Sequence, residues 1–249
     1  MKLRLIASLI HFGLSALVAM VFSGVVFGLW YPNQLDIATG VTSIFLLVLG
    51  VDVVLGPLLT LIVFNPLKKE LKRDLFIIVM IQLAALFYGV RSVYQGRPIY
   101  VAFNIDRFDL VQASDITPKS FADAKLEQFK SVPRWGAELV FARRPDDPDE
   151  RRELLFGALS GGADLAYIPK YYDSYSNNAA FVSAKIRELN ELIGFNPDSK
   201  AQVERLIEKY PPAEFGYLPL RASRQDMTLI LNKKTAAIVE YVSLKPWDY

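Results

Sequence analysis

The chain has no cysteine and only one histidine. The first absence excludes disulfides, cysteine nucleophiles and thiolate metal sites. The lone histidine, His11, lies in an apolar run near the N-terminus. The rest of the chain therefore cannot build a histidine-based triad. The sequence also lacks a P-loop, a dinucleotide-binding glycine fingerprint and a nucleophile elbow. No cofactor is implied, and the expectation is a protein that is not an enzyme. Excess charge of one sign is missing too. Net charge is +2, and residues 95–249 hold 21 basic and 22 acidic side chains. Nothing in that balance points to a nucleic-acid partner.

What is abundant is apolar length. Hydrophobic residues make up 52% of the 249, with most of the excess before residue 95. A bilayer core needs about 20 apolar residues to be crossed by a helix. Residues 5–30, 40–64 and 75–93 each meet that length. The first run is too long for a signal peptide and reads as an uncleaved anchor. Lys2 and Arg4 precede it, and the second connection carries Lys68, Lys69, Lys72 and Arg73, while the first connection carries no basic residue. The positive-inside rule then puts the N-terminus and the second connection in the cytoplasm. Everything after the third run falls on the far side, with Trp30 and Tyr31 expected at the outer interface. The chain divides at 94/95 into a three-helix transmembrane domain and a periplasmic domain.

Asp52 sits inside the second run. A carboxylate at the centre of a span costs about 2.5–3.5 kcal/mol on insertion scales, and such groups usually face protein rather than lipid. At 1.5 Å per residue, Asp52 lies roughly 18 Å from the cytoplasmic end of its helix. Ser15 and Tyr88 lie at similar depth on the first and third runs, roughly 15 and 19 Å. His11 and Gln82 share a shallower level, roughly 10 Å, and are expected to meet. Two readings of Asp52 stand side by side. It locks this chain's own bundle, or it docks a partner's membrane helix. Gly56-Pro57, one turn later, is expected to bend the helix. Asp52, Gly56, Pro57 and Tyr88 form the candidate membrane site.

The remaining residues predict a mixed α+β domain with a mostly antiparallel sheet. Val101, Phe103 and Ile105 alternate with Ala102, Asn104 and Asp106, a strand pattern whose phase slips near Asp106 and so predicts a turn or bulge there. Residues 120–130 read as a short helix and 136–145 as a strand. Asp147-Pro148 with Glu150 opens a helix that Gly161-Gly162 closes. Residues 177–195 and 196–212 read as two further helices, the second capped by Asn196. Three aliphatic strands fill the C-terminus, with Asn232–Thr235 as a hairpin loop. Trp247 is expected to act as a latch. The segment "YIPKYYDSYSNN" places Tyr171, Tyr172 and Tyr175 in a loop, a candidate interface because tyrosine is enriched at interfaces.

Several runs taken together resemble the type IV pilin accessory protein family (TfpX/TfpZ). They are "LRLIASLIHFGLSALVA", "LGVDVVLGPLLTLIVFNPLKKELKRDL", "VYQGRPIYVAFNIDRFDLV" and a late "LKPW". The resemblance implies a bacterial inner-membrane protein that assists a type IV pilin. It implies effects on pilus assembly, pilus number and twitching motility. The implied partners are pilin, the pilus assembly machinery and the lipid bilayer. A competing reading is a membrane-anchored periplasmic ligand-binding or sensor protein.

Overall fold

In the computed structural model, which describes residues 1–248, the chain forms two compact units. One comprises Met1–Trp30 and Gly40–Gly96, the other Tyr31–Thr39 and the chain from Arg97 on.

The first unit contains three helices long and apolar enough to cross a membrane, Lys2–Trp30, Val41–Val63 and Leu71–Gln95. The second span packs against both the first and the third. Glycine sets how closely it does so. A Cβ on Gly56 would run into the Gln82 amide, and one on Gly89 would run into the Val48 side chain. The second span is not a uniform α-helix. Gly50–Leu55 is wound as π-helix directly before Gly56-Pro57. A proline ring clashes with the carbonyl one turn back. One wider turn relieves such a clash while keeping the helix continuous, and single π turns of this kind cluster at functional positions.

The second unit is built on one seven-stranded sheet. Its strands are β1 (Pro98–Asn104), β2 (Arg107–Gln112), β3 (Glu138–Ala142), β4 (Tyr172–Ser174), β5 (Phe215–Arg221), β6 (Met227–Asn232) and β7 (Ile238–Val242). The spatial order is β4-β3-β1-β2-β5-β6-β7. Four pairings are antiparallel, and β1–β3 and β2–β5 are parallel. The phase slip near Asp106 is a two-residue hairpin turn, with Asn104 opposite Arg107. Ile105 takes a positive φ of 65° in that turn, a conformation costly for a β-branched side chain. One apolar cluster joins Val101, Phe103, Phe108 and Leu110 to Leu218 and Leu229. Two others gather Tyr100, Ala102 and Val140, and Tyr217, Ile230 and Val203.

Residues 31–39 belong to this unit as packing, not as a linker. Leu35 and Ala38 are buried in the Phe103 cluster. The Ala38 carbonyl accepts N–H bonds from Arg224 at 3.0 Å and Gln225 at 3.2 Å. Tyr31, at the start of this segment, is itself buried.

Other local expectations are corrected by long-range partners. The predicted helix over 177–195 is broken, because Arg187 exchanges two 2.9 Å backbone bonds with Tyr217. That bridge needs Gly216, where a Cβ would meet the Arg187 carbonyl. The helical stretches that remain are Ala179–Ser183 and Leu192–Phe195. Residues 120–130 split into a short helix, Pro118–Ala122, and a 3-10 turn, Glu127–Phe129. Asn196 does not cap the helix Lys200–Lys209; its amide donates to the Leu192 and Lys245 carbonyls and accepts from Lys245 N–H. It holds the C-terminal tail, which Trp247 secures further by donating to Asp226 at 3.0 Å.

Candidate functional site

The membrane site begins with a missing donor. At the end of the π stretch, Gly56 N–H reaches back five residues to the Val51 carbonyl. The next donor at that spacing would belong to Pro57, which has none. The Asp52 carbonyl is satisfied from outside the helix instead, by Gln82 Nε2 at 3.2 Å. Gln82 can lie there because Gly56 has no side chain. Asp52, Gly56, Pro57 and Gln82 thus form one connected device. His11 does not meet Gln82 as expected. Its Nδ1 pairs with Thr60 Oγ1 at 2.7 Å, while Ser8 Oγ donates to the Pro57 carbonyl at 2.8 Å. These two bonds tie the first span to the second.

The Asp52 side chain is 8% exposed, and its Oδ1 has no hydrogen-bond partner. It faces a cavity of about 220 Å³ among the three spans, which His11, Ser15 and Gln82 also line. Tyr88, expected opposite Asp52, is 73% exposed and lines no part of that cavity. It faces away from the bundle, so it locks nothing within this chain.

The tyrosine loop divides in the same way. Tyr172 is 3% exposed, donates to the Ala166 carbonyl at 2.5 Å and stacks edge-on against Tyr100. Tyr175 donates to the Ala236 carbonyl at 2.6 Å and packs against Phe108. Tyr172 is a core residue and Tyr175 lies half-buried against the core, each with its hydroxyl satisfied by the fold. Tyr171, with an edge of the buried Tyr172, lines a surface cavity of about 400 Å³ that Lys125, Arg144, Glu150 and Asp173 also border. There Glu150 accepts from Lys170 at 2.5 Å and from Tyr171 at 2.9 Å. The Lys170 ammonium, then the Tyr171 hydroxyl, hold its carboxyl below the ordinary carboxylate range. Glu150 is thereby drawn away from the capping role expected of it; Asp147 caps the helix Pro148–Leu159 alone. Across the cavity Arg143 holds Asp173 at 2.6 Å, which lowers that carboxyl too.

Two features were not singled out from sequence. Asp109 is 0% exposed and is held by Arg221 at 2.6 Å, Arg107 at 3.4 Å and Asn104 at 2.9 Å. Thr60 partners His11. The signal for Thr60 was a hydroxyl in the apolar run that follows Gly56-Pro57; Arg221, remote in sequence, gave none.

Fold and site define a membrane-anchored protein. Three apolar helices carry polar groups at mid-span, and an α+β domain follows. Comparison with known proteins agrees in extent. The family model of fimbrial assembly protein FimB matches residues 1–34. The fimbrial assembly protein of serogroup I of Dichelobacter nodosus is 31% identical over 244 residues, 96% of this chain and 94% of that protein. The serogroup E1 protein is 30% identical over the same extent. The protein of serogroups C1 and C2 is 41% identical over 109 residues, 43% of this chain and 83% of that protein. No solved structure matches. The chain belongs to the fimbrial assembly protein family.

Proposed function

We propose that this protein is a non-enzymatic accessory factor of type IV pili, of the TfpX/TfpZ kind, acting on pilin at the bacterial inner membrane. The observation that carries the reading is that relatives named fimbrial assembly proteins match both the spans and the outer domain. The protein assists pilin stability, assembly or pilus number, and twitching motility follows from these. Residues 1–94 are the transmembrane domain and 95–249 the periplasmic domain, with the N-terminus cytoplasmic. The basic second connection supports that direction. The packing of Tyr31–Thr39 into the same unit as the chain after Arg97 supports the even number of crossings between them. Both segments then lie on one side of the bilayer, as two intervening crossings require. Asp52 is the candidate contact within the membrane and Tyr171 the candidate contact outside it.

The test is deletion and plasmid complementation in the native cell. Loss of the protein is expected to reduce pili counted by electron microscopy and to shrink twitching zones, with pilin followed by immunoblot. Unchanged piliation in the deletion strain would reject the reading.

A further inference from the structure

We infer that the three spans form an incomplete bundle, with a groove between the first and third spans that receives a fourth membrane helix bearing a hydrogen-bond donor for Asp52. The inference rests on the assembly reading only in taking the owner of that helix to be a pilus component.

The groove is defined by two matching rows of side chains. On the first span they are Leu14, Val18, Val21 and Val25. On the third span they are Val79, Leu83, Leu86 and Val90. Each row repeats at intervals of four, three and four residues, the seam spacing by which helices pack side by side. Each covers twelve residues, about 16 Å from first to last, or three helical turns. The Asp52 cavity of about 220 Å³ and a neighbouring one of about 480 Å³ share Val18, Phe22 and Leu86, so the groove continues from one into the other. Leu14, Val18 and Leu83 are exposed, so it opens on the outside of the bundle. The second span forms its floor through Val48, Leu49 and Asp52.

Chemistry selects the occupant. A buried carboxyl oxygen without a partner is costly in hydrocarbon and calls for a donor. Lipid tails carry none. Lipid head-group amines lie at the bilayer surface, whereas Asp52 is the twelfth residue of the 23-residue helix Val41–Val63, about 16 Å from either end. A membrane helix with an amine, amide or hydroxyl at that depth supplies both the apolar surface and the donor.

The test uses the full-length protein in native membranes. A photo-reactive residue is placed at Val18 or Leu86 in the groove, and at Leu47 on the exposed face of the second span as a control. Mass spectrometry then maps the crosslinked peptide. The expected product joins either groove position, but not the control, to an apolar segment of another protein. With the probe at Leu86, Asp52→Leu should lower the yield at least tenfold. Val18→Trp, which fills the groove and leaves Asp52 intact, should do the same with protein levels unchanged. Products with lipid alone, with another copy of this chain, or with undiminished yield in Asp52→Leu would overturn the proposal. A crosslink to a helix outside the pilus system would keep the groove and remove the assembly reading. Lost piliation on deletion, without any groove crosslink, would do the reverse.

Discussion

Asp109 shows how one side chain is bound to the whole sheet domain. It is completely buried in β2, yet its carboxylate is satisfied by two arginines and an amide. Truncating one partner of a buried ionic group costs about 3–5 kcal/mol, because the other charges lose their compensation. Asp109→Ala is expected to destabilise the sheet domain by less than that amount, since both arginines left behind keep partial access to water. Truncating the partly exposed Arg107 should cost less, since Arg221 remains at 2.6 Å. Chemical unfolding of the detergent-solubilised protein, followed by tryptophan fluorescence, would read the difference; equal effects of the two substitutions would refute it. The turn in "NIDRFD" was legible from the slip in alternation. The burial of Asp109 was not, because Arg221 lies more than a hundred residues away. The tyrosines teach the converse. Tyr172 and Tyr175 had the composition of an interface, but their hydroxyls found backbone carbonyls inside the fold.

At the scale of elements, the three spans, the β1–β2 hairpin and the C-terminal strands follow from apolar length and period-two alternation, which are local signals. Elements governed by remote contacts did not follow. The break between Ser183 and Leu192 depends on Tyr217, and the true partner of Glu150 is Lys170. Within the bundle, Gly56 was marked as a bend, although it equally provides a seat for Gln82. Gly89 went unmarked and has the stricter role. A methyl group there must displace Val48, whose branched side chain is stiff, whereas one at Gly56 meets only the flexible end of Gln82. Gly89→Ala should therefore destabilise the bundle by about 1–3 kcal/mol through overpacking. Gly56→Ala should cost less, about 0.6 kcal/mol, the average for an interhelical hydrogen bond in a membrane. Unfolding in mixed micelles of increasing denaturing detergent ranks the two. The reverse order would mean that the Gln82 bond, not the approach of the second and third spans, holds the bundle.

For the molecule as a whole, the decisive feature is that Tyr31–Thr39 and the chain after Arg97 fold as one unit while two membrane-spanning helices separate them in sequence. Charge bias in the loops and this packing are independent physical constraints, the first on direction and the second on sidedness, and both accord with the proposed topology. The absence of native cysteine makes the consequence directly measurable. Single cysteines at Gln34, Lys69 and Lys119, all exposed positions, would report the first connection, the second connection and the sheet domain. With a small membrane-impermeant maleimide on intact cells, Gln34→Cys and Lys119→Cys should label together, and Lys69→Cys only after the inner membrane is permeabilised. Labelling of Lys69→Cys alone would invert the topology while leaving the fold intact. Labelling of Lys119→Cys without Gln34→Cys would contradict the fold itself, because Leu35 and Ala38 could not then be buried against β1, β2 and β5.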